Sequence, residues 1–155
     1  MSDWAREYFE RGYAQRWGLP PITDDIRVEV AGLWKYLNLT TSSRLVDVGC
    51  GHGRYALGLA QLGSMAVGVD FAMALLTEAR HLGAKLGVQA RWVQGDMRIL
   101  PFRREHFDVA ILLDAFGFFE TERDNDAVLA NIARILVPRG RLCLKVVNGA
   151  HFKHR

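Results

Sequence analysis

Arg44-Leu-Val-Asp-Val-Gly-Cys-Gly-His-Gly-Arg54 decides how this chain is read. Leu45, Val46 and Val48 form a short apolar run suited to a strand covered on both faces, and Asp47 interrupts it where the strand runs out. Gly49, Gly51 and Gly53 then follow at alternate positions. Glycine tolerates positive φ and has no Cβ, so such a turn lets the backbone press against a ligand, while a helix starting near Arg54 aims unpaired N–H groups at it. Strand, glycine turn and helix start, in that order, describe a nucleotide site.

Spacing narrows the nucleotide. The dinucleotide pattern G-x-G-x-x-G counted from Gly49 needs a glycine where Arg54 stands, and counted from Gly51 it survives only in the relaxed form that accepts Ala56. No Gly-Lys-Ser or Gly-Lys-Thr of a phosphate loop occurs. An acidic residue two positions before a G-x-G-x-G turn fits a ligand with a cationic amino-acid tail better than a pyrophosphate. Working outward, Met65-Ala-Val-Gly-Val-Asp70 reads as a second strand, and Asp70 stands where a carboxylate can accept from vicinal ribose hydroxyls or cap the following helix. Ala90 to Gln94 reads as a third strand leading into Gly95-Asp-Met-Arg98, and Phe107 to Leu113 as the fourth and most apolar. A helix end, a turn at Pro138-Arg139-Gly140 and a fifth strand from Leu142 to Val147 come last.

Val46-Asp-Val-Gly-Cys-Gly-His-Gly-Arg54 resembles the first motif of the class I S-adenosylmethionine-dependent methyltransferases. With Tyr8-Phe9, Tyr13, Gly95-Asp-Met-Arg98, Phe116-Gly-Phe-Phe119 and Val146-Val-Asn148, the chain is similar to a group of small bacterial methyltransferases of unassigned substrate. The resemblance implies S-adenosylmethionine as cofactor, held by Asp47, Gly49, Cys50, Gly51, Gly53, Asp70, Phe71, Asp96, Met97 and Leu113. Asp47 would lie near its ammonium group and Asp96 would accept from its adenine amino group. Strand order 3-2-1-4-5 is implied as well. Departures from the family pattern are Asp114-Ala115 before Phe116, Pro138-Arg139-Gly140 in place of Pro-Gly-Gly, and length. Relatives of this kind continue past the fifth strand with a helix and an antiparallel pair, so the resemblance implies a truncated chain, or a fifth-strand edge that pairs with a second copy as a homodimer.

The expected fold is α/β, a doubly wound, mainly parallel Rossmann-like sheet of about five strands with helices on both faces. Helices are expected from about Ile26 to Leu37, Tyr55 to Leu62, Met73 to Leu86 and Asn125 to Leu136, the first capped by Thr23-Asp24-Asp25. Residues 1–40 read as an N-terminal helical cap segment and 41–155 as the cofactor-binding unit. Trp4, Tyr8, Phe9, Tyr13 and Trp17 form an aromatic stripe at helical spacing, ended by Pro20-Pro21. By the resemblance this segment folds over the cofactor and brings Tyr8 and Tyr13 toward the acceptor.

Half the residues are hydrophobic and 24% are charged, as in an ordinary globular domain. No apolar run approaches a membrane span and the N-terminus lacks the form of a signal peptide, so a cytoplasmic protein is expected. Cys50 and Cys143 are expected to be reduced thiols. The net charge of +3 is scattered, and its one local cluster, Arg98, Arg103, Arg104 and His106, reads as solvated loop charge, which argues against nucleic acid. No Asn-Pro-Pro-Tyr motif of base-amine methylation and no Pro-Cys nucleophile is present, and the histidines show no metal-ligand spacing. A sulfonium methyl is already activated, so the protein need mainly align an acceptor and exclude water. Asp114 is the candidate base if one is required. A small-molecule acceptor is expected, with an RNA or protein methyltransferase and a non-catalytic cofactor-binding module as alternatives.

Overall fold

The structure, a computed structural model, describes residues 7–12 and 22–146. Trp4, Tyr13, Trp17, Pro20, Pro21, Val147, Asn148 and the basic tail lie outside the described residues. Five strands form one sheet in the order β3-β2-β1-β4-β5, comprising β1 Arg44–Val48, β2 Met65–Asp70, β3 Arg91–Gln94, β4 Phe107–Leu113 and β5 Leu136–Lys145. Every neighbouring pair is parallel. The helices are α1 Asp24–Tyr36, α2 Arg54–Gln61, α3 Met73–Leu86 and α4 Glu122–Ile135. The Rossmann-like sheet and its strand order are therefore as expected. The chain steps outward from β1 to β3 and then returns to β4 on the other side of β1. That reversal opens a crevice at the carboxyl ends of β1 and β4.

Alternation along the central strands explains why they read as continuous apolar runs. Leu45, Val109 and Ile111 pack on one face against Ile26 and Val30 of α1 and Leu57 and Leu59 of α2. Val46, Val48, Ala110 and Leu112 pack on the other against Val128, Ile132 and Ile135 of α4. Both faces are covered, and each fully buried aliphatic side chain contributes roughly 1.5–3 kcal/mol. Thr23 Oγ1 accepts from the Ile26 N–H at 3.4 Å to start α1, and Thr121 Oγ1 accepts from the Asp124 N–H at 3.1 Å to start α4. At the amino ends of β1 and β4, Arg44 donates through its backbone and both sides of its guanidinium to Asp108 at 2.7–3.1 Å. This end of the sheet is tied by a satisfied charge pair.

β5 differs from expectation. It starts at Leu136 directly after α4 and ends at Lys145, because the Val137-Pro-Arg-Gly140 stretch is accommodated as a bulge between the Phe107–Leu136 and Val109–Arg141 pairs. Arg139 takes a φ of +64° there. A left-handed conformation costs an L-residue about 1–2 kcal/mol, of which glycine recovers part after its own entropic loss of roughly 0.5–1 kcal/mol. Arg139→Gly is expected to stabilise the protein by about 0.5–1 kcal/mol and to raise Tm by about 2 °C, read by calorimetry. The outer edge of β5 has no neighbouring strand among the described residues, and Leu142, Leu144 and Val146 are exposed there.

Candidate functional site

A cavity of about 260 Å³ opens at the carboxyl ends of β1, β2 and β4. The glycine turn forms its floor and is pinned to the end of β2, since the N–H groups of Gly49 and Cys50 both donate to the Val69 carbonyl, at 2.8 and 3.1 Å. Gly49, Gly51 and Gly53 take φ values of +69°, +54° and +82°. Their environments differ. A Cβ at Gly49 would stand 2.6 Å from Ala115 Cβ, and one at Gly53 would stand 2.2 Å from the Trp92 ring. At Gly51 it would meet nothing within 4 Å, because that residue faces the cavity.

Of the cofactor-binding residues expected from sequence, all except Gly53 line this cavity. Gly53 is turned away from it and leaves room for the indole of Trp92, which also presses against Gly68. A glycine is required there by the indole packed under the turn and by its φ of +82°. Asp47 is buried, with its Oδ2 lacking any hydrogen-bond partner, and its carboxyl is pushed up to about 7 by loss of solvent, opposed by a hydrogen bond from the Ala56 backbone. A buried carboxylate oxygen without a donor, on the wall of a cavity, fits a cation.

Asp70 meets the entry to the following helix, one of its two readings from sequence, and also holds the glycine turn. Its Oδ2 accepts from the Gly51 N–H and its Oδ1 from the Ala72 N–H, each at 2.9 Å, so it orders the glycine turn and the entry to α3 together. Burial pushes its pKa up, while the Ala72, Gly51 and Phe71 N–H groups pull the other way. Asp96 is more committed than expected. The Arg98 guanidinium spans both of its oxygens at 2.7–3.2 Å and reaches Asp124 of α4 at 2.9 Å, with its Cζ 4.8 Å from the Phe119 ring centroid. Burial acts to raise the Asp96 pKa, but the Arg98 hydrogen bonds hold it below the usual range. Arg98 is thus not the solvated loop charge its sequence neighbourhood implied, whereas Arg103 is exposed and donates to His106.

His52 is buried in the turn, and the Cys50 thiol is pushed well up by burial and by Asp47 and Asp70, which makes it a poor thiolate nucleophile. On the opposite wall, Tyr8 and Phe9 come from a π-helical turn at Tyr8–Gly12. The Phe9 ring meets Phe71 and Phe118 edge-on, with centroids 5.9 and 5.5 Å away. Asp114, Leu113, Phe118 and Phe119 supply the β4 side. Asp114 pairs with Lys145 at 3.2 Å, and Lys145 reaches Glu29 of α1 at 3.4 Å. Tyr55 donates to that same Glu29 oxygen at 2.5 Å and has its own pKa pushed up to about 12 by burial and by Glu29. Sequence reasoning missed Glu29, Tyr55 and Lys145, which come from three separate elements. No helix among the described residues is long and apolar enough to cross a membrane.

Residues 45–140 match a family model described as a methyltransferase domain, and the chain belongs to that family. It is 36% identical over 101 residues to a demethylmenaquinone methyltransferase of Thermus thermophilus, covering 64% of this chain and 44% of that protein. It is 34% identical over 104 residues to a probable tRNA methyltransferase 9B of Homo sapiens, covering 67% of this chain and 21% of that one. The chain therefore spans less than half the length of these two relatives. The crystal structure of the PH0226 protein from Pyrococcus horikoshii superimposes with a TM-score of 0.81 at 23% identity, covering 94% of this chain and 70% of that one, a likeness of fold. S-adenosylmethionine is the cofactor of this class, and the residues fit it. Asp47 presents an unpartnered buried acceptor for an ammonium, Gly51 leaves its Cβ space open, and Asp70 keeps acceptor capacity beyond the Gly51, Ala72 and Phe71 N–H groups.

Proposed function

We propose that the chain binds S-adenosylmethionine in this cavity and aligns a small-molecule acceptor for methyl transfer. The observation that carries the reading is the orphaned Asp47 oxygen beside the open Gly51, within one cavity that Asp70 and Met97 also line. Bound there, the cofactor supplies a methyl group on a positively charged sulfur. The protein's part is to hold and orient. Asp47 receives the ammonium, the 49–51 turn carries the amino-acid tail, Asp70 accepts from the ribose hydroxyls, and the segment around Met97 flanks the adenine. Leu113 and the aromatic wall from Tyr8 to Phe119 exclude water from the transfer. A small acceptor is favoured because Phe9, edge-on to both Phe71 and Phe118, narrows the cavity these three rings line.

Calorimetry with S-adenosylmethionine and S-adenosylhomocysteine tests the reading. Wild-type protein is expected to bind both, and Asp70→Ala to lose binding of both, since the turn loses the acceptor of its Gly51 N–H along with the ribose contact. Methyl transfer to a panel of acceptors then separates an enzyme from a cofactor-binding module. Absence of binding by the wild type, or retained affinity in Asp70→Ala, would defeat the site assignment.

A further inference from the structure

The polar cluster at the β4–β5 end of the cavity has features of its own. Asp114 follows β4 with a φ of +60°. Its N–H donates to the Lys145 carbonyl at 3.0 Å and its Oδ2 meets Lys145 Nζ at 3.2 Å, so one residue holds both its backbone and its side chain. Aspartate tolerates this conformation better than most L-residues, and here both ends of Lys145 fix it. Lys145 is in turn held by Glu29, whose same oxygen accepts from the Tyr55 hydroxyl. The positions of Asp114 and Lys145 are set from three directions.

The charges of this end cancel. Asp114 and Glu29 are opposed by Lys145 and by Arg54, which lines the same cavity. A neutral ligand leaves that balance intact, whereas an ammonium or a carboxylate disturbs it. The Glu29 oxygen nearest the cluster is committed to Tyr55 and Lys145. Asp114 lines the cavity, keeps an uncommitted carboxylate oxygen, and has a side chain 45% exposed, so it can take a proton from the cavity and release it to water. The same cavity is lined by Tyr8 and Phe9 and, on the Asp114 side, by Phe118 and Phe119, with the Phe9 and Phe118 rings edge-on, and such aromatic walls suit a flat ring.

We propose that the acceptor is a neutral aromatic alcohol, that Asp114 is the catalytic residue accepting its hydroxyl proton, and that Lys145 is the positioning residue that keeps Asp114 aimed. This rests on the methyl-transfer reading above. A lone pair of the hydroxyl oxygen forms the new O–C bond to the methyl carbon as the C–S bond breaks, and the pair of that bond returns to sulfur. The hydroxyl proton passes to Asp114 and then to solvent. The products are an aryl methyl ether, S-adenosylhomocysteine and one proton, with no oxidant or reductant required. General base assistance of this kind contributes typically about 10²–10⁴-fold.

The probe is 2-naphthol, whose emission separates its neutral from its ionised excited form. Wild-type protein with S-adenosylhomocysteine is expected to bind 2-naphthol and to show the ionised band, because Asp114 receives the proton. Asp114→Asn tolerates the left-handed backbone, so it is expected to fold and to bind S-adenosylhomocysteine as the wild type does. It should lose the ionised band of bound naphthol and at least about 100-fold in methyl transfer to 2-naphthol with S-adenosylmethionine. Lys145→Met should lower that rate about tenfold, an order-of-magnitude expectation for a misaligned base, with Lys145→Arg restoring most of it. The inference is overturned if Asp114→Asn keeps the ionised band or the rate, or if benzylamine or benzoate is methylated while 2-naphthol is not. Failure of the wild type to bind S-adenosylhomocysteine is a separate outcome, which removes the methyl-transfer reading and this inference with it.

Discussion

Gly51→Val is expected to abolish detectable binding of S-adenosylhomocysteine, a loss of at least about 1000-fold or roughly 4 kcal/mol. The position is unusual within the turn because a Cβ there meets no protein atom within 4 Å, so added carbon enters the space a ligand would take. Valine must also adopt a φ of +54°, at a cost of about 1–2 kcal/mol. That is a minor part of the roughly 5–15 kcal/mol stability of a domain, and circular dichroism is expected to show a folded protein. Gly53→Val supplies the contrast. Its Cβ would lie 2.2 Å from the Trp92 ring, so unfolding rather than a clean loss of binding is expected. If Gly51→Val bound the ligand normally, the turn could not be the floor of a cofactor site.

The second large effect concerns pH. The Asp47 carboxyl titrates near 7 in the folded protein, against 3.8 as its ordinary value. The empty protein therefore favours the protonated form, and the associated stabilisation is fully present below 3.8, declines as pH rises, and is gone above about 7. At 1.36 kcal/mol per pH unit the whole effect is of order 4 kcal/mol. Ligand binding runs the opposite way, because an ammonium is attracted to the ionised carboxylate. Affinity for S-adenosylhomocysteine is expected to rise up to tenfold per pH unit below about 7 and to level off above it. Binding near neutrality should release a fraction of a proton, visible as a dependence of calorimetric heat on buffer ionisation enthalpy. Asp47→Asn should flatten both profiles. An unchanged pH profile in that variant would show that Asp47 does not meet the cation.

How much was legible in the sequence follows from the range of the interactions. β2 at Met65–Asp70 and β4 at Phe107–Leu113 have the expected limits, because strands buried on both faces are continuous apolar runs ended by a carboxylate or a turn. α4 begins at Glu122, earlier than expected, since its cap is Thr121 rather than a residue nearer Asn125. β5 was read short at its start because Pro138-Arg-Gly140 has turn composition, and composition does not distinguish a turn from a bulge held within a ladder. Most of the cavity wall was legible because it comes from strand ends and one glycine turn, whose spacing is local. The packing of Gly53 was not legible for the same reason, since alternate spacing carries no trace of the indole behind it. Glu29, Tyr55 and Lys145 could not be read at all. They lie 26 and 116 positions apart along the chain, and only folding makes them neighbours.

The lodging of Trp92 has a consequence for how such a sequence can drift. Its indole rises from the shortest strand at the sheet's margin and wedges beneath both Gly68 and Gly53. Any side chain at either glycine evicts the wedge, and a small residue at 92 leaves the turn without its support. Three positions on separate elements are thereby bound to vary as a set, and descendants that exchange the tryptophan must find compensating bulk at one of the two glycines in the same lineage.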